Sequence, residues 1–198
     1  MATRIVAITG SYRQGGITES AVEAVLAGAR ERGAETRTIR LLDRHIEFCT
    51  NCRACTQVSG TRRGACPQQD DLEAILAEVE AADAIVLGAP VNFYNVTAVF
   101  RRFLERLAGY AYWPWGRPGP AFRAAHPAKK AVLVSSMAAP GFLLPLATGA
   151  PRALKMAARV LGARPVGKLW IGLSAIAQDQ RLSPKLEARA QALGRQLA

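Results

Sequence analysis

The sequence predicts an α/β protein in which one doubly wound, five-stranded parallel sheet carries helices on both faces. Short apolar segments alternate with amphipathic segments of helical spacing five times along the chain. The apolar segments contain few polar residues, which is typical of strands buried on both faces. The chain has 198 residues, and 50% of them are hydrophobic, which is enough for one core. We therefore expect a single domain, residues 1–198.

In the first 82 residues we expect two strands and two helices. Residues 4–9 form an apolar run, and a polar, glycine-containing loop leads from it into a helix that ends near Gly33. Residues 35–42 alternate in polarity, which predicts a strand. A helix over residues 70–82 begins with two aspartates, because a helix N-terminus favours negative charge. Between these last two elements, residues 44–70 show little periodicity and predict an insertion.

The rest of the chain continues the alternation. Residues 84–88 are apolar, and residues 96–107 place apolar side chains on one helical face and charged ones on the other. Residues 110–128 are rich in aromatic residues, proline and glycine, so we expect a loop that includes His126. Further strands are expected over residues 130–135 and 166–173, and further helices over residues 148–161 and 184–197.

The charge of the chain is strongly positive but spread out. The 26 basic and 15 acidic residues give a net charge of +11 and a pI near 10.3. Basic residues adjoin only in pairs, at 62–63, 101–102 and 129–130, which favours anionic small molecules over nucleic acid as ligands. No apolar run reaches the roughly 18 residues that span a membrane, and no secretory signal is evident. We therefore expect a cytoplasmic protein without membrane or nucleic-acid partners.

All of the cysteines lie in the expected insertion at 44–70. They follow the pattern Cys49-x-x-Cys52-x-x-Cys55, with Cys66 after ten further residues. A cytoplasmic location disfavours disulfides, and three cysteines in a row at this spacing favour an iron–sulfur cluster over zinc. Zinc and an unmetallated segment remain the alternatives. His45 lies nearby, but its spacing does not indicate a ligand.

Loops that follow the ends of parallel strands are the candidate ligand sites, because ligands bind there in sheets of this kind. Three loops qualify: residues 10–18, 90–95 and 136–141. The first joins a strand to a helix N-terminus, whose free N–H groups attract anions, and Ser11, Arg13 and Thr18 add donors. It matches neither the dinucleotide motif nor the Walker motif, which requires a lysine here. A single phosphate group is therefore the expected guest, and an ordinary turn is the alternative.

Two segments resemble the NADPH-dependent FMN reductases, a flavodoxin-like family. They are Gly10-Ser-Tyr-Arg-Gln-Gly-Gly-Ile-Thr18, and Ala89-Pro-Val-Asn-Phe-Tyr-Asn-Val96 with the helix 100–107 after it. The resemblance implies the strand order 2-1-3-4-5 and an FMN whose phosphate lies in the first loop. The implied phosphate contacts are Ser11, Arg13, Gln14, Gly16 and Thr18. The implied contacts along the flavin ring are Pro90, Val91, Asn92, Phe93, Tyr94 and Asn95 on one side and Ser136, Met137 and Ala138 on the other.

The cysteine pattern resembles the iron–sulfur flavoproteins of the same superfamily, which carry a 4Fe-4S cluster. The implied ligands are Cys49, Cys52, Cys55 and Cys66. The ten residues between Cys55 and Cys66 exceed the compact spacing of those proteins, but the entropy of loop closure grows slowly with length.

The resemblance implies an FMN-dependent oxidoreductase that needs no catalytic side chain, because the chemistry takes place at the flavin N5. Its donor is NAD(P)H or a ferredoxin, and its acceptor is a flavin, a quinone or another small molecule. A homodimer or homotetramer is also implied. A non-enzymatic electron carrier and a zinc-stapled module that binds a nucleotide or nucleic acid are the alternatives. The aromatic residues of 110–128 either cover a partner's flavin or substrate, or make core or dimer contacts: Tyr110, Tyr112, Trp113 and Trp115.

Overall fold

The computed structural model describes residues 2–123 and 127–198, so His126 lies outside the described residues. The strands are β1 (Arg4–Thr9), β2 (Glu35–Arg40), β3 (Ala84–Gly88), β4 (Val91–Asn92), β5 (Asn95–Val96), β6 (Ala111–Tyr112), β7 (Ala121–Phe122), β8 (Lys129–Ser136) and β9 (Ala163–Ile171). The α-helices are α1 (Ile17–Arg30), α2 (Leu72–Ala81), α3 (Ala98–Glu105), α4 (Leu144–Ala147), α5 (Ala150–Val160) and α6 (Pro184–Arg195).

Five parallel strands form the central sheet in the order β2-β1-β3-β8-β9. Counted along the chain, this is the order 2-1-3-4-5, so the flavodoxin-like prediction is confirmed. The apolar core has two halves because strand side chains alternate between the faces of a sheet. Ile5 and Ala7 of β1 face one cluster with α1 and α6, whereas Val6 and Ile8 face the other with α2, α3 and α5.

Several boundaries differ from the predicted ones. Strand β9 begins at Ala163, three residues early, and a register shift opposite Ala131 accommodates Pro165 on this edge strand. The predicted loop 90–95 contains the two-residue hairpin of β4 and β5, and the predicted loop 110–128 contains the ribbon of β6 and β7. Pairs this short leave no periodicity in a sequence.

Residues 44–70 lie between β2 and α2, as predicted, and contain one short 3₁₀ turn, Ala54–Thr56, as their only regular element. Across the described ranges, no helix combines the length and the apolar character that a membrane crossing requires.

Candidate functional site

An open cleft of about 810 Å³ lies where the strands of the central sheet end. This volume is within the usual range for small-molecule sites. All three predicted loops contribute to its walls, through residues 11–18, 90–92 and 136–138. A fourth segment, residues 174–182, completes the cleft. The topology therefore brings together the loops that the sequence selected.

The first loop leaves β1 through a close backbone contact at Gly10. The Gly10 amide donates to the Gly88 carbonyl at 2.8 Å, and the Thr97 hydroxyl donates to the Gly10 carbonyl at 2.6 Å. A Cβ atom at position 10 would lie 2.7 Å from Cβ of Phe100, which is too close. Glycine is therefore required for the loop to pass this close to α3.

The N-terminus of α1 faces the cleft without a side-chain cap. Its N-cap residue is Gly16, which has no side chain to accept from the first-turn amides. Glu19 accepts from the Gly15 amide at 2.9 Å, one residue before the cap. Open first-turn amides and the positive end of the helix dipole make this a favourable position for an anion.

Ser11 and Arg13 shape the rim of the same loop. The Ser11 Oγ accepts from the Arg13 amide at 3.2 Å and lies 3.1 Å from the Arg13 carbonyl, to which it donates. The Arg13 guanidinium donates to the Gln178 carbonyl at 2.7 Å and thus joins the first loop to the fourth segment. Arg13 and Gln14 are exposed, so their polar groups are available to a ligand.

A buried hydroxyl pair joins the first and third loops. The Thr18 and Ser136 hydroxyls lie 2.8 Å apart, and the two residues are 2% and 5% exposed. The neighbouring Ser135 hydroxyl donates to the Ala89 carbonyl at 2.7 Å and joins the second and third loops. The three loops are therefore held together by side-chain bonds beneath the floor of the cleft.

The second loop divides into a part inside the cleft and a part outside it. Pro90, Val91 and Asn92 line the cleft. Phe93 and Tyr94 form the tip of the hairpin with φ values of 47° and 65°, and they are 94% and 72% exposed. A two-residue hairpin turn of this type requires positive φ at both positions, and neither residue lines the cleft.

Asn95 also lies outside the cleft wall, against Gly149 at the start of α5. The flavin contacts predicted for Phe93, Tyr94 and Asn95 therefore stay predictions, and they require a ligand that extends beyond the cleft.

The sequence analysis missed the segment 174–182. Its base is fixed to the third loop, because the Leu173 amide donates to the Ala139 carbonyl and the Ser174 amide and hydroxyl donate to the Met137 carbonyl, all within 3.0 Å. The segment follows β9, the last strand of the sheet. Applying the rule for strand ends to that strand as well would have identified it.

The four cysteines are free thiols that divide into two pairs by burial. Cys49 and Cys52 are exposed, whereas Cys55 and Cys66 are half-buried. Cys55 and Cys66 line one small void of about 10 Å³ together with Arg106 and Gly109. The pKa of the Cys55 thiol is raised, mainly because the thiol is partly buried. Electrostatic repulsion from the sulfurs of Cys66, Cys49 and Cys52 raises this pKa further. Cys55 therefore lies within the electrostatic influence of the other three thiols.

Arg53, which lies between Cys52 and Cys55, packs against the tryptophans of residues 110–128. Its guanidinium lies 3.9 Å from the centre of the Trp113 ring and 4.0 Å from that of Trp115, and it donates to the Trp113 carbonyl at 2.6 Å. Arg53 has a φ of 61°, which is uncommon for a residue other than glycine. These contacts favour a role for both tryptophans within the chain's own packing. Coverage of a partner's flavin stays a prediction.

Tyr110 and Tyr112 also make contacts inside the chain. The Tyr110 hydroxyl donates to Glu80 at 2.7 Å, and burial together with this carboxylate raises the Tyr110 pKa. Tyr112 lies beneath Arg117 and Arg123.

Arg106 and Asp70 form a buried ion pair beside Cys66. Both side chains are 1% exposed, and their closest N–O distance is 2.5 Å. Arg106 also donates to the Glu47 carbonyl at 2.7 Å and to Sγ of Cys66 at 3.4 Å. Burial by itself raises the pKa of the Asp70 carboxyl, but hydrogen bonds from Arg106 and from the Glu47 and Leu72 amides outweigh it and hold the pKa below its ordinary value. Arg106 thus joins both ends of the cysteine segment.

The residues present fit the two groups that the sequence motifs imply. At the cleft, an uncapped helix N-terminus and Arg13 suit a phosphate. At the cysteine segment, thiols are the donors of iron–sulfur centres, and buried Arg106 supplies positive charge at one of them. Within residues 2–123 and 127–198, no three Cys, His, Asp or Glu side chains are gathered as metal ligands. His45 pairs instead with Glu47.

Comparisons with known proteins agree with the fold and with the family that the sequence resembles. The family model described as NADPH-dependent FMN reductase matches residues 3–171. An iron-sulfur flavoprotein of Archaeoglobus fulgidus is 32% identical over 111 residues, which are 56% of this chain and 48% of that protein. One of Methanocaldococcus jannaschii is 35% identical over 103 residues, 52% of this chain and 51% of the relative. The chain thus spans about half the length of the curated relatives it matches.

Solved structures share the fold over nearly the whole chain. An NAD(P)H:quinone oxidoreductase from Methanothermobacter marburgensis superposes with a TM-score of 0.75 at 17% identity and covers 100% of both chains. A flavone reductase superposes with a TM-score of 0.64 at 22% identity, covering 98% of this chain and 62% of the other. Because the family model covers most of the chain and the sheet has the expected order, the chain belongs to the NADPH-dependent FMN reductase family, a family of oxidoreductases.

Proposed function

We propose that this protein binds FMN in the cleft at the carboxyl edge of the sheet and transfers electrons from NAD(P)H to a small acceptor such as a flavin or a quinone. The observation that carries the proposal is the uncapped N-terminus of α1, which faces a cleft of flavin size beside Arg13. FMN has one phosphate group, and the loop offers donors for one anion without a lysine for a longer phosphate chain.

Each loop has a distinct role in this proposal. The amides at the start of α1 and the side chains of Ser11, Arg13, Gln14 and Thr18 hold the phosphate, and Gly16 leaves those amides open. Pro90, Val91 and Asn92 lie along the ring, and Ser136, Met137 and Ala138 flank its other side. FMN, when bound, supplies the acceptor for a hydride and the donor for the outgoing electrons. The side chains bind and orient it, and no side chain acts as an acid or base.

The strongly basic surface supports a phosphorylated nicotinamide donor or an acidic ferredoxin. The net charge of +11 attracts anionic partners and speeds their encounter. We propose a cytoplasmic homo-oligomer, in which the four cysteines remain reduced.

We further propose that Cys49, Cys52, Cys55 and Cys66 hold a 4Fe-4S cluster. Two observations support this. Cys55 and Cys66 line the same void, and the relatives of which the chain spans about half are named iron-sulfur flavoproteins. The exposed arm with Cys49 and Cys52 must close toward that void. Asn51 and Arg53 both have left-handed backbone conformations in this arm, so it turns sharply between its cysteines.

The central test is a titration of the full chain with FMN, followed through the quenching of flavin fluorescence, together with NADPH oxidation in the presence of a quinone. We expect micromolar or tighter binding and turnover. Binding without turnover by any nicotinamide would favour the electron carrier, and absence of binding would overturn the proposal. A colourless protein that contains zinc would favour the zinc-stapled alternative.

A matched pair of variants tests where FMN binds. Thr18→Val removes the hydroxyl that is bonded to Ser136, whereas Thr38→Val makes the same change at an exposed position of β2. Because Thr18 is proposed to donate to the phosphate, loss of that hydrogen bond should weaken FMN binding roughly fivefold to tenfold. Equal affinities in the two variants would place the flavin elsewhere.

A further inference from the structure

We propose that Arg106 is the positioning residue of the cysteine centre, which it serves by holding Cys66 in place through an N–H···S hydrogen bond and by placing a permanent positive charge beside it. The inference rests on the cluster proposed above and deepens it. It concerns a residue that lies outside the cysteine motif and 40 positions after Cys66.

The first argument is the burial of the charge. The Arg106 side chain is 1% exposed, and an arginine cannot release its proton in a protein. A buried cation requires acceptors, and Arg106 has the Asp70 carboxylate, the Glu47 carbonyl and the Cys66 sulfur. Its Nε atom finds no acceptor among residues 2–123 and 127–198. One carboxylate and an incomplete set of acceptors leave the guanidinium suited to further negative charge.

The second argument is the placement of its three partners. Glu47 lies two residues before Cys49, whereas Cys66 and Asp70 lie at the far end of the cysteine segment. A single side chain at the C-terminal end of α3 therefore ties residue 47, just before the first cysteine, to Cys66, the last one. The backbone supports this approach at Gly64 and Gly109: the Gly64 amide donates to the Gly109 carbonyl at 2.8 Å, and a Cβ atom on Gly64 would lie 1.8 Å from the Cys55 carbonyl oxygen.

The consequence for an iron–sulfur centre is electrostatic. Reduction adds one electron to the cluster and makes it more negative, and hydrogen bonds to its sulfurs stabilise the reduced form. Arg106 should therefore raise the reduction potential of the centre. A purely structural role would change how much cluster forms but not the potential of the cluster that does form.

The test uses the full chain, reconstituted anaerobically with ferrous iron, sulfide and FMN. Iron and sulfide are measured per chain, and the midpoint potential of the iron–sulfur signal is followed by electron paramagnetic resonance. Arg106→Gln removes the buried charge, and Arg101→Gln removes an equal charge from the exposed face of α3, where Arg101 is 54% exposed. Because Arg106→Gln leaves Asp70 unpaired, the double variant Asp70→Asn/Arg106→Gln replaces the ion pair with two neutral amides and protects the fold.

We expect the largest fall in midpoint potential in Arg106→Gln, a smaller fall in the double variant, which also removes the neighbouring Asp70 charge, and an unchanged potential in Arg101→Gln. Arg106→Lys keeps the charge but loses the planar arrangement of donors, so it should give an intermediate potential. This variant carries the test if the neutral variants do not fold. Wild-type potentials in all Arg106 variants would overturn the inference while leaving the cluster intact. A wild-type chain that takes up no iron and sulfide would instead overturn the cluster proposal, and the inference with it.

Discussion

The cleft and the cysteine segment are built in different ways. The cleft is formed by loops at the ends of β1, β3, β8 and β9, so the sheet itself positions it, and the proposed phosphate position is at the backbone amides that begin α1. The cysteine segment contains no strand, and arginine side chains from elsewhere in the chain fix it. Besides Arg106, Arg123 donates to the carbonyls of Cys55, Gly60 and Gly109.

This difference teaches where each site is vulnerable. A site built largely on backbone at the edge of a parallel sheet persists as long as the sheet does, and it is sensitive to the residues that set its backbone path and to the few side chains proposed to contact the ligand. A segment held by side chains depends on each of those side chains. Single substitutions should therefore separate the two regions, and the following predictions test that separation.

The largest expected effect is at the buried ion pair. Asp70→Ala removes the carboxylate and leaves the Arg106 charge buried without its acid, which costs about 3–5 kcal/mol of unfolding free energy. Denaturant unfolding measures this loss. Glu105→Ala, which breaks the exposed pair with Arg101, is the control and should cost at most about 0.5 kcal/mol. Equal losses in the two variants would show that the cysteine segment does not depend on the buried pair.

The second effect separates the cleft from the cysteine segment. Gly10→Ala places a Cβ atom 2.7 Å from Cβ of Phe100, so the loop must move, at a cost of about 1–3 kcal/mol. FMN affinity should fall, whereas the accessibility of the four thiols to alkylation should not change. Gly119→Ala is the control, because a Cβ atom there meets nothing within 4 Å. Altered thiol accessibility in Gly10→Ala would show that the two regions are coupled.

A third prediction concerns the free energy of unfolding at acid pH. The folded chain holds the pKa of Asp70 below its ordinary value of 3.8. The contribution of Asp70 to stability is therefore complete at pH values above the pKa that Asp70 has in the unfolded chain. It is lost as the pH falls from about 5 through the lowered pKa that Asp70 has in the folded chain. Unfolding free energies measured between pH 7 and pH 3 should show a steeper decline for the wild type than for Asp70→Asn. Parallel curves would remove Asp70 as the source of the acid sensitivity.

The smallest expected effect is at the stacked arginine. Arg53→Lys keeps the charge but loses the planar stack between Trp113 and Trp115, at a cost of about 0.5–2 kcal/mol. Tryptophan fluorescence should change and FMN affinity should not. The control is Arg117→Lys, because the Arg117 guanidinium carbon lies 5.7 Å from the centre of the Tyr112 ring and so makes a more distant contact. An unchanged tryptophan spectrum would show that the stack does not hold the segment.

The sequence by itself determined the five strands of the central sheet and the location of three of the four cleft segments. The strand at 84–88 is apolar throughout because both of its faces are buried, and that pattern is visible in five residues. The sequence also placed all the cysteines in one segment without strands. These features are local, since each depends on the residue types within one short window.

Only the tertiary structure decided which side chains meet across long intervals. The turn at Phe93 and Tyr94 adopts positive φ values that neither residue favours, and the bond from the Gly149 amide to the Tyr94 carbonyl helps to hold it. The contact of Arg106 with Cys66 has no local signal, and the bonds that fix residues 173–174 to the third loop have none either, although the end of the last strand marks where that segment begins. Periodicity records whether a side chain faces core or solvent, whereas its partner depends on how distant segments pack, and that is settled only when the whole chain folds.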